Sequence, residues 1–294
     1  MRRLLLVALV ALPVAAADGA VPRCFGAASA GGCRNPALDY TVTPTPTEAM
    51  TLPNADCEPV SFGVPFVCAF GAPRAEGARN VAMIGDSHAT HWRAALGPIA
   101  LLRRWHGSSL TRAGCPYSTV RPILPARLLG DCLAWRRTIP GFLRRHPEIT
   151  TVFLSQHRVR TSGGLRQQER GYLRAWRRLP RSVRHIVVIR DTPTSGEAVR
   201  ACVNRAILAE LNARYECAMA RSTSLHADPA AAAARHAGAR RVSLIDMTKY
   251  FCDAAFCWPV VGGVLVHKDN SHVTATYGAT LAPFLAARLR RLGI

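Results

Sequence analysis

Residues 80–96 read NVAMIGDSHATHWRAAL, and this stretch decides the fold of the chain. Residues 81–84 form a short apolar run, which is typical of a buried strand. Gly85 then marks a tight turn, and after it apolar residues recur with helical spacing, beginning at Trp92. The stretch therefore predicts a strand, a turn and a helix in direct succession.

The same alternation continues toward the C-terminus. Further apolar runs occupy residues 151–154, 186–189 and 242–245. Helical patterns lie around them, at residues 135–145, 167–178, 199–221, 229–237 and 274–292. Strands that alternate with helices of this length are typical of a parallel sheet with helices on both faces. We therefore predict an α/β fold with a mostly parallel sheet.

Composition divides the chain into three parts. Residues 1–20 begin with two arginines, an apolar run and small residues, which is the pattern of a cleavable export signal. An uncleaved anchor is the alternative, although the apolar run is short for crossing a bilayer. Residues 21–78 are rich in Pro, Gly, Thr and Cys, so we expect an irregular extension held by disulfides. Residues 79–294 form the predicted catalytic domain of a secreted or extracytoplasmic protein.

The ten cysteines are consistent with export, because an even number favours disulfides in an oxidising compartment. Pairing of nearest neighbours is the simplest assumption, although the sequence alone does not fix it: Cys24/Cys33, Cys57/Cys68, Cys115/Cys132, Cys202/Cys217 and Cys252/Cys257. A zinc site is the competing interpretation, but no CxxC pair with matching histidine spacing occurs in the sequence.

The chain carries a formal net charge of +20, and its basic residues are arginines apart from Lys249 and Lys268. Nucleic acid is one possible partner for such a surface. Export favours an anionic envelope surface instead, either lipid headgroups or an acidic glycan, so we expect no nucleic-acid partner. An arginine-rich codon usage would explain the same composition without any partner.

The tetrapeptide GDSH at residues 85–88 is the sharpest chemical signal. Ser87 follows a predicted parallel strand and opens a helix, which is where α/β proteins bind ligands. The N–H groups at a helix N-terminus can stabilise the oxyanion that forms when a serine attacks an ester. The alternative is that Ser87 or Asp86 only caps the helix.

The tetrapeptide DNSH at residues 269–272 supplies the groups that a nucleophilic serine needs. A serine hydroxyl requires a base, and the base requires an orienting group. Asp269 and His272 are three residues apart, so in a turn they project to one side. Asp269 can then hold one ring nitrogen of His272 while the other faces Ser87. An ordinary solvated loop is the alternative interpretation.

Together these blocks resemble a family. Residues 80–96 look like the nucleophile block of the SGNH/GDSL hydrolase-like domains that accompany bacterial integral-membrane O-acyltransferases of the cell envelope. The stretch Cys252-x4-Cys257 followed by HKDNSHVTATYGA is similar to their C-terminal block, and Cys115 and Cys132 fall where such domains carry a disulfide. The resemblance spans residues 57–290. It implies a flavodoxin-like three-layer α/β/α fold with Ser87, Asp269 and His272 as a catalytic triad.

The sequence departs from the family at the oxyanion hole. Many SGNH enzymes carry a GxND block whose Asn completes it, and residues 154–158 read LSQHR instead. Gln156 can offer an amide N–H in its place, the backbone N–H of Ser87 is a second donor, and Gly114 is a third candidate. The membrane acyltransferase part is also missing from this sequence, so the acyl donor is expected to come from another protein or a soluble molecule.

Other polar residues near these blocks admit two interpretations. His88 and His91 lie three residues apart on the predicted helix and suggest a metal, but without a readable third ligand we favour packing or a cleft. Asp86 is interpreted as bracing the turn. His157 and Arg158 either line the cleft or are simple surface residues. We expect no metal and no cofactor.

Three functions remain in competition. The first is an exported O-acyltransferase, of the O-acetyl kind, that moves an acyl group from an acylated donor to an envelope or secreted polysaccharide, with an integral-membrane acyltransferase as partner. The second is a carbohydrate or lipid O-acyl esterase with the same residues and water as acceptor. The third is a glycan-binding module that has kept the fold and lost turnover, which the Ser87, Asp269 and His272 set argues against.

Overall fold

The computed structural model describes residues 21–51, 58–61, 67–158, 161, 163–238 and 240–294. The predicted export signal lies outside these residues. The strands are β1 Glu58–Ser61, β2 Val67–Gly71, β3 Arg79–Gly85, β4 Trp105–Thr111, β5 Ile149–Ser155, β6 His185–Ile189, β7 Met219–Ala220, β8 Val242–Ile245, β9 Phe256–Cys257, β10 Val260–Val261 and β11 Val264–Leu265. The predicted apolar runs thus correspond to β3, β5, β6 and β8.

The helices surround these strands. They are α1 Pro46–Thr51, α2 Ser87–His91, α3 Arg93–Leu102, α4 Ala126–Arg145, α5 Leu165–Arg177, α6 Ala198–Leu208, α7 Ala213–Glu216, α8 Arg221–Ser224, α9 Pro229–His236, α10 Ala275–Thr280 and α11 Ala282–Arg291. Short 3₁₀ segments occur at Gly26–Gly31, Pro36–Leu38, Arg74–Glu76 and Thr248–Tyr250. Among the described residues, no helix combines the length and the hydropathy needed to span a bilayer.

The central sheet has seven strands in the order β1-β2-β4-β3-β5-β6-β8. The strands β4, β3, β5, β6 and β8 are parallel to one another, whereas β1 pairs antiparallel with β2, and β2 pairs antiparallel with β4. Along the chain, β3 is followed by β4 on one side and by β5 on the other. This is the flavodoxin-like strand order, and the carboxyl end of β3 is its topological switch point. The predicted fold class is confirmed.

Helices cover both faces of the sheet, and the side chains of β3 alternate between the two apolar cores that result. Val81 and Met83 belong to the apolar core that includes residues of α3, α10 and α11. Ala82 and Ile84 belong to the opposite core with residues of α4, α5 and α9. Since all four side chains are buried, the strand reads as a continuous apolar run, as expected for a parallel strand covered on both faces.

The N-terminal region is less irregular than its composition predicts. Strand β2 pairs with β4 and so extends the main sheet. Upstream, the N–H of Gly26 donates to the carbonyl of Gly262 at 2.9 Å, and the N–H of Ala27 donates to Oγ1 of Thr280 at 3.0 Å. The region therefore packs on the main domain through long-range contacts, which composition does not reveal.

Four of the five predicted disulfides are confirmed: Cys24–Cys33, Cys115–Cys132, Cys202–Cys217 and Cys252–Cys257. Cys68 is also disulfide-bonded. Its predicted partner, Cys57, lies outside the described residues.

Two predicted helices are broken into shorter elements. The stretch 199–221 forms α6 and α7 and then enters β7, because Asn212 caps a new helix with its side chain at Arg214 N–H. The closing stretch 274–292 is divided at Leu281 into α10 and α11, and Pro283 lies in the first turn of α11. Proline has no N–H to donate to the preceding turn, so it begins a helix more readily than it continues one.

Candidate active site

The turn that carries Ser87 requires glycine at position 85. A Cβ atom on Gly85 would lie 1.9 Å from the backbone oxygen of Ser155, and Gly85 has a φ of 153°. Because β3 and β5 approach so closely here, no other residue fits without moving a strand. The carboxyl ends of β3 and β5 are thereby held together at the switch point.

Asp86, and not Ser87, caps helix α2. Its Oδ1 accepts the N–H of His88 at 2.9 Å, and its two carboxylate oxygens accept the N–H of His157 at 3.0 and 2.9 Å. Burial raises the pKa of Asp86 to about 6. Asp86 therefore braces the turn against the end of β5, as the sequence predicts.

Ser87 keeps its polar groups available. As the first residue of α2, it has no intrahelical partner for its N–H. The structure shows no hydrogen bond to its hydroxyl within the described residues, and the side chain is partly exposed. Ser87 thus has a free hydroxyl beside a free backbone donor.

The second turn forms the predicted Asp–His pair. Oδ2 of Asp269 lies 2.7 Å from Nδ1 of His272, while its Oδ1 accepts the N–H groups of Ser271 and His272 at 3.0 and 2.8 Å. Partial burial opposes ionisation of Asp269, but these hydrogen bonds outweigh it and hold the pKa of Asp269 well below its usual range. An ionised Asp269 accepts the Nδ1–H of His272 and so fixes the orientation of the ring.

The remaining nitrogen of His272 has no partner. Nε2 is buried and makes no hydrogen bond with the described residues. The ring of His88, the residue next to Ser87, lies 5.1 Å from the ring of His272 between centroids, and the His91 ring lies at 6.5 Å. The fold therefore brings the two predicted turns side by side, although Ser87 and His272 are not joined by a hydrogen bond in this structure.

Asp191 is a functional candidate that the sequence analysis missed. Its Oδ1 lies 2.6 Å from Nδ1 of His88, and its Oδ2 lies 3.2 Å from Nδ1 of His157. Nε2 of His88 in turn lies 3.1 Å from Oγ of Ser271. Asp191 follows the carboxyl end of β6, and that position was the available signal, since parallel strands place their ligand-binding residues there.

Electrostatics separate the histidines of this cluster. Burial opposes ionisation of Asp191, but His88 and His157 hold the pKa of Asp191 well below its usual range. Burial likewise opposes the charge of His157, yet the bond to Asp191 prevails and raises the pKa of His157. Burial lowers the pKa of His91, which stays neutral. The environment therefore favours the protonated form of His157 and the neutral form of His91.

The same cluster contains the atoms of a conceivable metal site. Ligand atoms of His88, His157 and Asp191 lie within 4.8 Å of one another. Both ring Nδ1 atoms are already engaged by the carboxylate, and a contact of 2.6 Å is a hydrogen bond rather than a spacing between two ligands of one ion. We therefore interpret the cluster as a hydrogen-bonded array.

The predicted oxyanion donors occupy different settings. Oε1 of Gln156 accepts the N–H of Tyr117 at 2.8 Å, and Nε2 of Gln156 is buried without a partner among the described residues. This leaves an amide donor at the end of β5. Gly114 lies in the turn after β4, where its φ of 66° accounts for glycine. The roles of Ser87, Gln156 and Gly114 as donors stay predictions.

An open cleft adjoins the cluster at the carboxyl ends of β5 and β6. Its volume is about 510 Å³, and His157, Arg158, Thr194 and His226 line it. Of the two interpretations of His157 and Arg158, the structure favours the cleft. The rings of His157 and His88 lie 4.2 Å apart, so one ring separates the cleft from His272.

Comparisons with known proteins agree with this architecture. Residues 56–287 match the family model described as an SGNH domain fused to AT3 domains. A solved structure from Salmonella ser. Paratyphi A, the periplasmic domain of a lipopolysaccharide acetyltransferase, is similar in fold with a TM-score of 0.57. The two sequences are 15% identical, and the match covers 73% of this chain and 85% of that domain. No curated protein sequence matches this chain at a significant level.

Proposed function

Because the chain belongs to the SGNH domain family, we propose that it is a serine-dependent O-acyltransferase that acetylates an envelope or secreted polysaccharide. The observation that carries the proposal is the state of His272. Its Nδ1 is held by Asp269 at 2.7 Å, while its Nε2 is buried, unpartnered among the described residues and adjacent to the Ser87 turn. A general base that accepts the proton of a serine hydroxyl needs this arrangement, with one ring nitrogen held by a carboxylate and the other nitrogen available.

The first half-reaction forms an acyl-enzyme. Nε2 of His272 takes the proton of the Ser87 hydroxyl as Oγ bonds to the donor's carbonyl carbon, and the imidazolium then returns a proton to the leaving group. Asp269 holds the ring and stabilises its positive charge. In the second half-reaction His272 takes the proton of a sugar hydroxyl, whose oxygen bonds to the acyl carbon. The bond to Ser87 Oγ then breaks, and the imidazolium returns its proton to Oγ.

Charge on the reacting oxygen needs donors that are already in place. The backbone N–H of Ser87 is the first, since it opens α2 without an intrahelical partner. The Nε2 group of Gln156, which has no partner among the described residues, is the second, and Gly114 is the remaining candidate. One such donor contributes on the order of 10² to 10³ in rate, so the Gln156 amide is a substantial part of the proposal.

The partner that supplies the acyl group is inferred from the family, and the location is inferred from the sequence and the disulfides. Its description as a domain fused to AT3 domains supports an AT3-type membrane acyltransferase as the partner that delivers the acyl group. The pattern of residues 1–20 and the disulfides support an extracytoplasmic location. The domain boundaries proposed from sequence, at residues 20 and 78, remain part of this proposal.

Hydrolysis is the second candidate function. The side chains of His272 and Asp269 are 26% and 32% exposed, so water contacts this pair, although Nε2 of His272 itself is buried. An esterase would use the same three residues with water in place of the sugar hydroxyl. A bound acceptor competes with water because it is held in near-attack geometry and has a high effective concentration.

Mass spectrometry of an acceptor panel tests the proposal. Purified protein is incubated with p-nitrophenyl acetate as donor and a series of envelope oligosaccharides, with Ser87→Ala as the matched control. We expect a mass increase of one acetyl group on at least one sugar, absent with the control. Efficient removal of acetyl groups from native polysaccharide, with no transfer to any sugar, would assign the protein as an esterase.

A further inference from the structure

The cleft described above is lined by one arginine and two histidines. Arg158 is exposed, His226 is exposed, and His157 is one-third exposed. No acidic side chain lines the cleft among the described residues, which there include Thr161, Gly163 and Gln168. A concave surface with one sign of charge concentrates its field and favours ligands of the opposite charge.

Asp191 lies behind this surface, and both of its carboxylate oxygens accept hydrogen bonds from other residues of the protein. Its Oδ1 accepts from Thr192 N–H at 2.9 Å as well as from His88, and its Oδ2 accepts from Arg158 N–H at 3.1 Å as well as from His157. The carboxylate therefore has no free position for a ligand. Its bond to Nδ1 favours the protonated form of His157, whose ring faces the cleft.

The cleft is the right size and in the right place for part of a glycan. Pockets that bind small molecules usually have volumes of about 300–1,000 Å³, and this one has about 510 Å³. The ring of His157 on its wall is separated from the His272 ring by the ring of His88 alone. A sugar chain that extends beyond the cleft along these rings would bring its neighbouring units toward His272.

A high arginine content could by itself make any cleft of this protein basic. A second basic cleft offers a comparison. It has a volume of about 650 Å³, lies against α4 and α5, and is lined by Arg136, Arg137, Arg144 and Arg178. No residue of the predicted triad lines either cleft, but the first cleft contains His157, whose ring lies 4.2 Å from the ring of His88. An acceptor site must adjoin the triad, whereas general attraction to anions would involve both clefts.

We infer that the cleft beside the triad binds a carboxylate-bearing acceptor glycan through His157, Arg158 and His226. This rests on the proposed acyl transfer and adds the chemical class of the acceptor. A membrane surface is the weaker match, since a concave floor does not meet a flat array of headgroups.

Binding measured without turnover tests the inference independently of catalysis. Calorimetry with the Ser87→Ala protein uses a galacturonic acid trimer as anionic probe and the galactose trimer as neutral probe, in buffer with EDTA to exclude a bridging metal ion. We expect the anionic trimer to bind at least tenfold more tightly. Arg158→Gln and His226→Gln should each weaken its binding five- to tenfold, and Arg137→Gln in the second cleft less than twofold.

Three results would overturn the inference while leaving the acyl-transfer proposal intact. One is equal affinity for the two trimers. Another is equal weakening by Arg137→Gln and Arg158→Gln in proteins whose circular dichroism and melting temperature match the parent. The third is loss of binding to phosphatidylglycerol vesicles in Arg158→Gln without loss of trimer binding, which would assign the cations to a membrane surface. Failure of acetyl transfer with retained trimer binding would instead count against the proposed function.

Discussion

A distance of 2.6 Å separates Nδ1 of His88 from Oδ1 of Asp191. This contact ties the helix that begins with Ser87 to the carboxyl end of β6. Because Nε2 of His88 lies 3.1 Å from Oγ of Ser271, the chain Asp191–His88–Ser271 also reaches the turn that carries His272. Three segments distant in sequence are thus fixed to one another by a single buried imidazole.

Replacing the buried acid of this chain should destabilise the protein. In Asp191→Asn the new amide presents N–H groups to partners that are themselves donors, so we expect the free energy of unfolding to fall by about 3 kcal/mol. Asp131→Asn is the matched control, because Asp131 pairs with Arg112 at an exposed site and should change stability by less than about 1 kcal/mol. Urea denaturation at pH 7 measures both, and equal losses would contradict the role given to Asp191.

The predicted nucleophile is tested by removing its hydroxyl. We expect Ser87→Ala to lower the kcat for p-nitrophenyl acetate hydrolysis by about 10³-fold or more, because the variant lacks the hydroxyl that forms the acyl-enzyme. Ser271→Ala is a second test, since Oγ of Ser271 lies 3.1 Å from Nε2 of His88, and it should lower kcat much less than Ser87→Ala. Asp269→Asn should lose less, since a misoriented His272 still accepts protons. Ser222→Ala changes an exposed serine and should retain full activity. Turnover of Ser87→Ala within tenfold of the parent would refute the assignment.

Sequence predicts those parts of the site that local pattern determines. The GDSH and DNSH blocks place Asp86 and the Asp269–His272 pair correctly, because caps and turns depend on residues a few positions apart. Asp191 escapes this reasoning, since its contacts with His88 and His157 span 103 and 34 residues. No local pattern encodes such distances; only the parallel strand order brings the residues together.

The same distinction between local pattern and long-range contact explains which strands the sequence predicts. Strands β3, β5, β6 and β8 are apolar runs, because both of their faces are covered. Strand β2 lies second from the edge of the sheet, within a region rich in Pro and Gly, and its membership of the sheet depends on pairing with β4 further along the chain. Composition described that region as irregular because pairing partners are not visible in composition.

Replacement by alanine should lower the stability of the protein at one glycine and raise it at another. Gly85→Ala would place Cβ 1.9 Å from the Ser155 backbone oxygen, so we expect at least about 3 kcal/mol of destabilisation or failure to fold. Gly130 lies within α4 with open space around it, so Gly130→Ala should stabilise by about 0.5–1 kcal/mol. Thermal melts compare the two variants with the parent. A tolerated Gly85→Ala would mean that β3 and β5 separate easily.

The pairing of Cys57 with Cys68 is the one predicted disulfide outside the described residues. We expect non-reducing peptide mapping of the purified protein to give a peptide that joins these two cysteines, because Cys68 is disulfide-bonded and the other four pairs are formed. A free thiol at Cys57, detected by alkylation of the folded protein, would contradict the pairing.

The buried carboxyl of Asp86 should give the protein a measurable pH dependence. Burial raises the pKa of Asp86 to about 6, above its usual value in an unfolded chain of about 3.9. A group whose pKa rises on folding contributes stability that is present below its unfolded value and is lost as pH rises through its folded value. Ionised Asp86 therefore lowers the free energy of unfolding by about 3 kcal/mol at neutral pH.

The Asp86→Asn variant isolates this effect, because asparagine does not ionise and still offers an oxygen to the N–H of His88. We expect the free energy of unfolding of the variant, relative to the parent, to rise by about 2 kcal/mol between pH 4 and pH 7. His91 titrates in both proteins, so its contribution cancels in the difference. Asp86 also raises the pKa of His157, so both proteins carry His157→Gln, and the lost acceptor for the N–H of residue 157 then adds a constant offset. Asp131→Asn should show no such rise, since its carboxylate is exposed. Urea denaturation at half-unit pH steps measures the difference, and a flat profile for Asp86→Asn would mean that Asp86 ionises in the folded protein as readily as in the unfolded chain.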